Sequence, residues 1–270
     1  MNLLAAITLW LAILAPARRP YNHIFFVLLE NVGYEAIIGD TVNAPYINNE
    51  LIPQGVLYTQ SFGITHPSLP NYLAMFSGDT QGVTTDRCDS GPFAAPNLWE
   101  EMNAVGMICK GYMEDLPYVG AQMCKYNGLY YKRHNPFPFF AGTPGQTWVA
   151  YVGPYAEEAC WTEFSFITPN VLHDMHTGAT IQEKVRNGDM WLSQHLPPII
   201  SFANRHNGLV ILTMDEGNIG NHTLTILVGP GQAPGTQIST TVNHYNTLKT
   251  VTDNFGLEAL GNCVGLPGLY

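Results

Sequence analysis

Two short apolar runs constrain the fold of this chain most strongly. They are His23–Leu29, with the sequence HIFFVLL, and Leu209–Thr213, with the sequence LVILT. Neither run alternates with polar residues, which is typical of strands covered on both faces, as in a parallel sheet. Segments with helical spacing lie between these and other strand-like runs. We therefore predict an α/β fold, a single domain over residues 18–270 with a mostly parallel central sheet and helices on both faces.

The same patterns predict the remaining elements. Further strands are predicted over Val56–Ile64, Met107–Tyr112, Phe164–Ile167 and Thr223–Val228. Helices are predicted over Ala44–Gln54, Leu98–Val105, Thr180–His195, Pro198–Arg205 and His244–Phe255. Pro197 is expected to end the helix that precedes it. The inward face of that helix is predicted to consist of Ile181, Val185, Met190 and Leu192.

Periodicity fades between residues 114 and 162, where aromatic residues, proline and glycine dominate. Disordered linkers are poor in aromatic residues, so we predict a structured loop region or small lid. Its aromatic side chains are expected to form a satellite core beneath the loop rather than to stack on a ligand.

The first residues resemble an export signal. An apolar run, Leu3–Leu14, is too short to span a bilayer comfortably and ends in Ala15-Pro16-Ala17, a small-x-small sequence. We predict a signal peptide over residues 1–17, a secreted or periplasmic protein, and no stable membrane insertion. In an oxidising compartment one or two disulfides are expected, with their pairing left open, among Cys88, Cys109, Cys124, Cys160 and Cys263.

The charge balance limits the possible partners. The chain carries 21 acidic and 11 basic residues, a formal charge of −10, and has no cluster of Lys and Arg. This composition argues against nucleic acid or an anionic membrane as a partner. An acidic protein that acts on an anionic substrate usually needs a bound cation, so metal ligands are expected.

Acidic pairs follow the two most apolar strands. Glu30-Asn31 follows His23–Leu29, and Asp215-Glu216 follows the strand at 209–213. Open α/β sheets bind ligands beyond the carboxyl ends of their strands, so both pairs are expected in one crevice. A carboxylate there is costly unless it is paired or bound to metal. Oxygen donors of this kind suit Mg, Ca or Mn.

A loop that turns into a helix, Thr65–Gly78, supplies a hydroxyl group. Ser68 stands at the predicted N-cap, beside backbone N–H groups that can receive an anion such as phosphate. Ser68 is therefore either a nucleophile or simply a helix cap. Histidines at strand ends and helix starts, His176 and His244 above all, are candidate site residues. Ordinary structural roles are assigned to His23, His66, His195 and His206.

Taken together, these segments resemble the phosphoesterase family of secreted acid phosphatases and phospholipase C-type enzymes, within the alkaline phosphatase superfamily. The resemblance runs in order over FFVLLENVGY, THPSLPNYLAMFSGDTQGV, GYMEDLP, YKRHNPF, FSFITPNVLHDMH, GLVILTMDEGN and NHYNTLKTVTDNFGL. It implies an alkaline phosphatase-like fold and a divalent metal, one or two ions per chain, with Zn added to the possible identities.

The resemblance also implies roles for particular residues. The metal ligands would be Glu30, Asn31, Asp215 and Glu216. The nucleophile would be Ser68, with Thr65 as the competing hydroxyl. Second-site or phosphate-binding groups would be Asn170, Asp174, His176, His244, Thr65 and Asn71. The leaving group would be protonated by His134 or His176.

The predicted function is a secreted, metal-dependent acid phosphatase that hydrolyses phosphomonoesters through a phosphoserine. Two alternatives remain: a phospholipase C-type phosphodiesterase, and a catalytically inactive binding protein on the same fold. The second is kept open because Val32-Gly33 replace the His or Arg, then Ser, that commonly follow Glu-Asn in the family.

Overall fold

The computed structural model describes residues 20–153 and 161–270. The predicted signal peptide at 1–17 lies outside these residues. Strands are formed by His23–Leu29 (β1), Val56–Phe62 (β2), Cys109–Glu114 (β3), Lys125–Tyr126 (β4), Tyr130–Tyr131 (β5), Trp148–Tyr151 (β6), Phe164–Thr168 (β7), Gly208–Met214 (β8), His222–Val228 (β9), Thr236–Ile238 (β10) and Val242–Asn243 (β11). Helices are formed by Tyr34–Ile37 (α1), Ile52–Gln54 (α2), Ser68–Ser77 (α3), Leu98–Ala104 (α4), Ile181–His206 (α5) and His244–Phe255 (α6).

One central sheet organises the described chain. Its strand order is β10-β2-β9-β8-β1-β7-β3-β6, with β11 also paired to β2. Neighbouring strands pair in parallel except where β9 runs opposite to both β2 and β8. The apolar runs β1 and β8 lie side by side at the centre, in register from His23 and Gly208 to Leu29 and Met214. The prediction of a mostly parallel sheet is confirmed.

Helices cover both faces of the sheet. In β1, Ile24, Phe26 and Leu28 point into one core with residues of α3, α4 and α6. The alternate residues, Phe25 and Val27 among them, point into a second core with residues of α1 and α5. This two-sided burial explains why β1 shows no polar alternation.

The prediction that Pro197 ends a helix is wrong. A single helix, α5, runs through both Pro197 and Pro198. Leu192 before the prolines and Ile199 after them continue one buried face. Burying each such side chain stabilises by about 1.5–3 kcal/mol, which is comparable with the roughly 3 kcal/mol that an interior proline costs.

The predicted inward face of this helix is half right. Val185 and Leu192 are buried, whereas Ile181 and Met190 are exposed. The helix packs on the sheet through a face that also includes Trp191 and Leu196. Ile181 and Met190 lie outside this buried face.

The aromatic segment that begins at residue 114 belongs to the main core, not to a satellite. Phe137, Phe139 and Trp148 lie in the same cluster as the strand residues Phe26 and Phe166. In addition, β6 joins the central sheet beside β3. Residues 154–160 of the predicted segment, which include Cys160, lie outside the described residues.

A disulfide joins Cys88 to Cys124, while Cys109 and Cys263 are buried thiols. Over residues 20–153 and 161–270, no helix is both long enough and apolar enough to cross a membrane.

Candidate active site

Four elements bring polar side chains to the carboxyl edge of the sheet. Glu30 follows β1, Asp215 follows β8, Ser68 opens α3 beyond β2, and Asp174 lies in the loop after β7. Backbone hydrogen bonds fix these ends to one another: Asp215 N donates to Leu29 O at 2.9 Å, and Glu30 N donates to Asp174 O at 2.6 Å. The ends of these elements, with Glu30, Ser68, Asp174 and Asp215, therefore meet at one edge of the sheet.

Ser68 is the first residue of α3, not its N-cap. Pro67 occupies the cap position, where no side chain accepts a capping hydrogen bond. The Ser68 hydroxyl instead donates its one hydrogen to Glu30 Oε2 at 2.8 Å. All ten residues of α3 are buried, so the helix holds this hydroxyl in a fixed place. The geometry favours a chemical role for Ser68 over a capping role.

His134 stands between two buried carboxylates. Its Nε2 lies 3.3 Å from Glu30 Oε1, and its Nδ1 lies 3.2 Å from Asp174 Oδ2. The imidazole ring is parallel to that of Tyr72, with 5.4 Å between centroids and 8° between planes. Stacking on α3 therefore fixes the orientation of His134. In sequence, Tyr72 reads as an apolar helix residue, and nothing marks it as a site residue.

Several polar atoms of this group are buried without a hydrogen bond. They are Glu30 Oε1, His134 Nε2, Asp174 Oδ2 and Asp215 Oδ2. Buried polar atoms are normally paired, so a set of unpaired atoms in one place points to a missing partner. Glu30, His134 and Asp174 each offer one ligand atom, and these atoms lie within 4.8 Å of one another.

Charge repulsion points to the same missing partner. Burial, and then the charges of Asp215 and Asp174, raise the pKa of Glu30 well above its usual range. Burial and the charge of Glu216 raise the pKa of Asp215 to about 8. Carboxylates packed in this way gain from a cation, which offsets both the burial and the repulsion. The residues present therefore fit a divalent metal ion.

The candidate ligands differ in part from those predicted. His134, predicted as a proton donor, and Asp174, predicted for a second site, join Glu30 around the candidate metal position. Burial and the neighbouring Arg133 and His176 charges hold the pKa of His134 well below its ordinary value. A neutral imidazole suits a ligand better than a proton donor.

Asn31 orients the carboxylates around it. Its side-chain Nδ2 donates to Glu30 Oε2 at 3.0 Å, and its backbone N donates to Asp215 Oδ1 at 3.1 Å. The residue adopts a left-handed backbone conformation, with φ of 57°. This turn at the end of β1 directs the N–H group towards Asp215.

His244 supports the site from behind. It is buried at the start of α6, and its Nε2 donates to the backbone carbonyl of Asp215. Burial lowers the pKa of His244 to about 4, so the ring is neutral near neutral pH. The nitrogen that donates to Asp215 is not free to ligate, so the predicted second-site contact would have to use the other ring nitrogen, Nδ1, and it stays a prediction.

The rim of the site contains two groups of partly exposed side chains. Glu216 Oε2 lies 2.8 Å from His66 Nδ1, and burial raises the Glu216 pKa to about 7. Arg133 Nη2 lies 3.2 Å from His176 Nε2. Burial and the Arg133 charge lower the pKa of His176 to about 4, so this ring accepts a hydrogen bond from Arg133 and is poorly suited to donate a proton.

An acidic residue touches the start of α3. Asp86 Oδ1 accepts a hydrogen bond from Leu69 N at 3.0 Å, and Asp86 Oδ2 lies 3.6 Å from Arg133 Nε. One of the helix-start amides expected to receive an anion is therefore already paired. His66, Arg133 and Asp86 were missed in the sequence, although Arg133 adjoins His134 in KRHNPF.

Three predicted residues are not part of the cluster, because their side chains hold loops. The Asn71 amide accepts from Ile64 N and Thr65 N and donates to Thr65 O. Thr65 Oγ1 donates to the His66 carbonyl at 3.3 Å, not to the Glu30 group. Asn170 Oδ1 accepts from two backbone N–H groups of its own turn, and its Nδ2 donates to Asp115 at 2.6 Å.

The fold is similar to that of solved structures that include a protein in the alkaline phosphatase superfamily. A solved structure of a superfamily protein from Vibrio parahaemolyticus matches with a TM-score of 0.66 at 12% identity, covering 93% of this chain and 71% of that chain. A lipoteichoic acid synthase from Listeria monocytogenes matches with a TM-score of 0.64 at 12% identity, covering 89% of this chain and 73% of that chain.

The chain belongs to the Phosphoesterase family, whose model matches residues 41–258, and so to the hydrolases of phosphoric esters. A relative from Mycobacterium tuberculosis, named phosphatidylinositol-3-phosphatase, is 37% identical over 94% of this chain and 83% of its own length. An acid phosphatase from Aspergillus fumigatus is 29% identical, and a probable acid phosphatase from Kluyveromyces lactis is 30% identical, each over 89% of this chain. The chain spans 56% and 60% of the length of these two fungal relatives.

Proposed function

We propose that the chain is a secreted, metal-dependent acid phosphatase that hydrolyses phosphomonoesters through a phosphoserine at Ser68. One observation carries the proposal: Ser68 Oγ lies 2.8 Å from a fully buried carboxylate that belongs to a group able to hold a metal. The names of the relatives, phosphatases in each case, support a monoester over a diester as substrate.

The side chains support a double displacement. Ser68 Oγ bonds to phosphorus as its proton passes to Glu30 Oε2, and the bond to the leaving oxygen breaks. Arg133 is placed to bind phosphoryl oxygens through its planar guanidinium group. Water then hydrolyses the phosphoserine, which restores the Ser68 hydroxyl and releases phosphate.

Glu30, His134 and Asp174 would hold the divalent metal, with Asp215 and Glu216 close by. When bound, such an ion lowers the pKa of a coordinated hydroxyl and offsets phosphoryl charge. Oxygen-rich ligands favour Mg, Ca or Mn, whereas His134 favours Zn.

The disulfide between Cys88 and Cys124 supports export, since disulfides persist in oxidising compartments. We propose that residues 1–17 are removed. N-terminal sequencing of the exported protein is expected to begin at Arg18, and an uncleaved Met1 would contradict removal.

The test of the proposed function compares two buried serines of α3. Ser68→Ala is expected to lower kcat for p-nitrophenyl phosphate by about ten-thousand-fold or more, as for other removed nucleophiles. Ser77→Ala is the matched control, because the Ser77 hydroxyl donates to Leu73 O within the helix. It is expected to keep activity within about threefold.

The same assay distinguishes the rival functions. Retained turnover in Ser68→Ala contradicts the phosphoserine, and preferential hydrolysis of bis(p-nitrophenyl) phosphate by the unaltered protein contradicts a monoesterase. Metal and phosphate binding without turnover of either ester would identify an inactive binding protein.

We further propose that His66 protonates the leaving oxygen. It is about half exposed at the mouth of the site, next to Glu216, whereas His134 and His176 are held neutral. His66→Gln should slow hydrolysis of an alkyl phosphate by about a hundredfold but slow p-nitrophenyl phosphate little, because a good leaving group needs no proton. Equal losses on both esters would contradict this role.

A further inference from the structure

A cavity of about 210 Å³ adjoins the active site, and of its lining residues only Arg133 takes part in the proposed chemistry. It is lined by Asp86, Cys88, Cys124, Lys125, Tyr131 and Arg133, and we call it the disulfide cavity. Its volume is about seven times the 30 Å³ that one water occupies in the liquid. It can therefore hold a phosphate-sized group together with part of the molecule that carries it.

The disulfide cavity is connected to the reacting residues through two of its walls. Asp86 bonds to the backbone N–H of Leu69, the residue after Ser68. Arg133 directly precedes His134 and contacts His176. The cavity is therefore next to the residues that would hold a phosphoryl group at Ser68.

Positive charge is concentrated around this cavity in a protein with a formal charge of −10. Lys125 and Arg133 line it, and Lys132 lies behind the disulfide, with Nζ donating to Cys88 O at 3.1 Å. The one lining carboxylate, Asp86, already accepts a hydrogen bond from Leu69 N and faces Arg133. Because Lys132 also faces the Asp89 charge, the excess of positive charge at the cavity is that of Lys125, and it attracts anions.

The walls are held in place before any ligand binds. The disulfide ties residue 88 to residue 124, and Lys125 pairs with Tyr131 in a two-stranded ribbon. The Arg133 guanidinium group packs on the Tyr131 ring at 4.3 Å. These parts of the wall lose little conformational entropy when a ligand binds, whereas the exposed Lys125 side chain has to be ordered.

We propose that the disulfide cavity binds a second anionic group, a phosphate or phosphodiester carried by the leaving group of the substrate. Lys125 supplies the ion pair that distinguishes such substrates from simple monoesters. This inference rests on the proposed function and names its substrate class: phosphomonoesters that bear a further phosphate.

The experiment compares glucose 1,6-bisphosphate with glucose 6-phosphate. Lys125→Gln should lower kcat/KM for the bisphosphate by about three- to tenfold and leave the monophosphate within about twofold, because only the former loses an ion pair. Lys125→Arg should restore the bisphosphate rate. Lys110→Gln, which removes the same charge from β3 outside the cavity, should change neither rate.

A second arm separates a lipid source from a soluble one. Phosphatidylinositol 3-phosphate in phosphatidylcholine vesicles is compared with inositol 1,3-bisphosphate in solution. A Lys125 effect on both identifies the anion itself as the ligand. If Lys125→Gln slows hydrolysis only of the lipid in vesicles, Lys125 contacts the membrane surface rather than an anion in the cavity, and the inference is overturned.

A binding measurement separates this inference from the proposed function. Calorimetric titration of Ser68→Ala protein with glucose 1,6-bisphosphate should show about three- to tenfold weaker binding when Lys125→Gln is added. Weaker binding without turnover by the unaltered protein would end the proposed function and keep the cavity as an anion site. Turnover with equal Lys125→Gln effects on both sugars, or with none, would overturn the inference.

Discussion

Buried carboxylates occur in two regions of this protein, and their surroundings differ. Asp189, on α5, is 3% exposed, and both of its oxygens accept backbone hydrogen bonds, from Tyr46 N at 3.0 Å and Ile47 N at 2.8 Å. At the sheet edge, Glu30 and Asp174 are fully buried, and each keeps an oxygen without a hydrogen-bond partner.

The difference separates a structural carboxylate from a functional one. Burial raises the pKa of Asp189, but its two backbone hydrogen bonds act in the opposite direction. In the active site, like charges add to the effect of burial. A carboxylate that supports the fold has its acceptors filled by the chain, whereas one that serves a ligand leaves an acceptor open at a cost to stability.

The largest expected effect is the loss of activity in Glu30→Gln. Because Glu30 contacts Ser68 and belongs to the candidate metal ligands, kcat/KM should fall by about a thousandfold or more. Without metal and at high pH, where these carboxyls are ionised, the melting temperature should stay equal or rise, because one of three repelling carboxylates is removed. Destabilisation together with retained activity would place Glu30 in the same class as Asp189.

The opposite pattern is expected for Asp189→Ala. Two buried N–H groups lose their acceptor, so the free energy of unfolding should fall by about 2–4 kcal/mol. Specific activity of the folded protein should not change. Denaturant unfolding measures the loss of stability, and Asp253→Ala, at an exposed position on α6, is the control. A large loss of kcat in folded Asp189→Ala would contradict the assignment of Asp189 as a structural carboxylate.

Metal binding should stabilise the protein more at high pH than at low pH. The pKa of Asp215 is raised to about 8 and that of Glu216 to about 7, so protons compete with the ion as pH falls through this range. The rise in melting temperature on adding Mn or Zn to chelator-treated protein should be several degrees near pH 8.5 and small near pH 5.5.

The metal-free protein should show the reverse trend. A carboxyl whose pKa is raised by folding binds more protons in the folded state than in the unfolded state, so stability increases as pH falls from about 9 to 6. The interpretation that these carboxylates keep acceptor oxygens free for a metal would be contradicted by either of two results. One is a melting temperature in chelator that does not change over this pH range, and the other is a metal effect that does not depend on pH.

The smallest effect is expected at a third carboxylate, Glu114, whose oxygens are occupied. His173 Nδ1 lies 2.9 Å from Glu114 Oε2, and this contact raises the His173 pKa. The stabilisation is present below the ordinary histidine pKa and is lost as pH rises through the folded value. Since the ring is about a third exposed, His173→Gln should remove less than about 1 kcal/mol.

Denaturant midpoints at about pH 5.5 and pH 8.5 test this pair, read as the difference between the unaltered protein and His173→Gln. The difference should be larger at the lower pH. An equal difference at both values would show that His173 acts only through packing.

The sequence predicts the frame of the site better than its ligands. The ends of β1 and β8 are visible because both strands are buried on both faces, and the helix His244–Phe255 is found with the predicted bounds. Strand ends in a parallel sheet share one edge, so the sequence alone is enough to bring Glu30 and Asp215 together.

Side chains carried by irregular segments could not be placed in this way. His134 is the last residue of a short 3₁₀ turn that follows a two-stranded ribbon, and neither element has a periodic sequence pattern that would predict it. Asn71 and Asn170 look like polar site residues, but their amides satisfy nearby backbone groups, a choice that depends on local turn geometry. The predicted helix end at Pro197 is wrong because burial of the apolar face of α5 outweighs the low helix propensity of proline.

The corner after β1 places an independent demand on position 31. With φ at 57°, the backbone there admits asparagine, aspartate or glycine at little cost and disfavours most other residues. An asparagine would therefore be kept at this corner even by a descendant that had lost its chemistry. Asn31→Gly keeps the left-handed backbone conformation and removes the side-chain amide, so its effect on activity measures the contribution of the amide alone. Asn31→Ala removes the amide and also disfavours the backbone conformation.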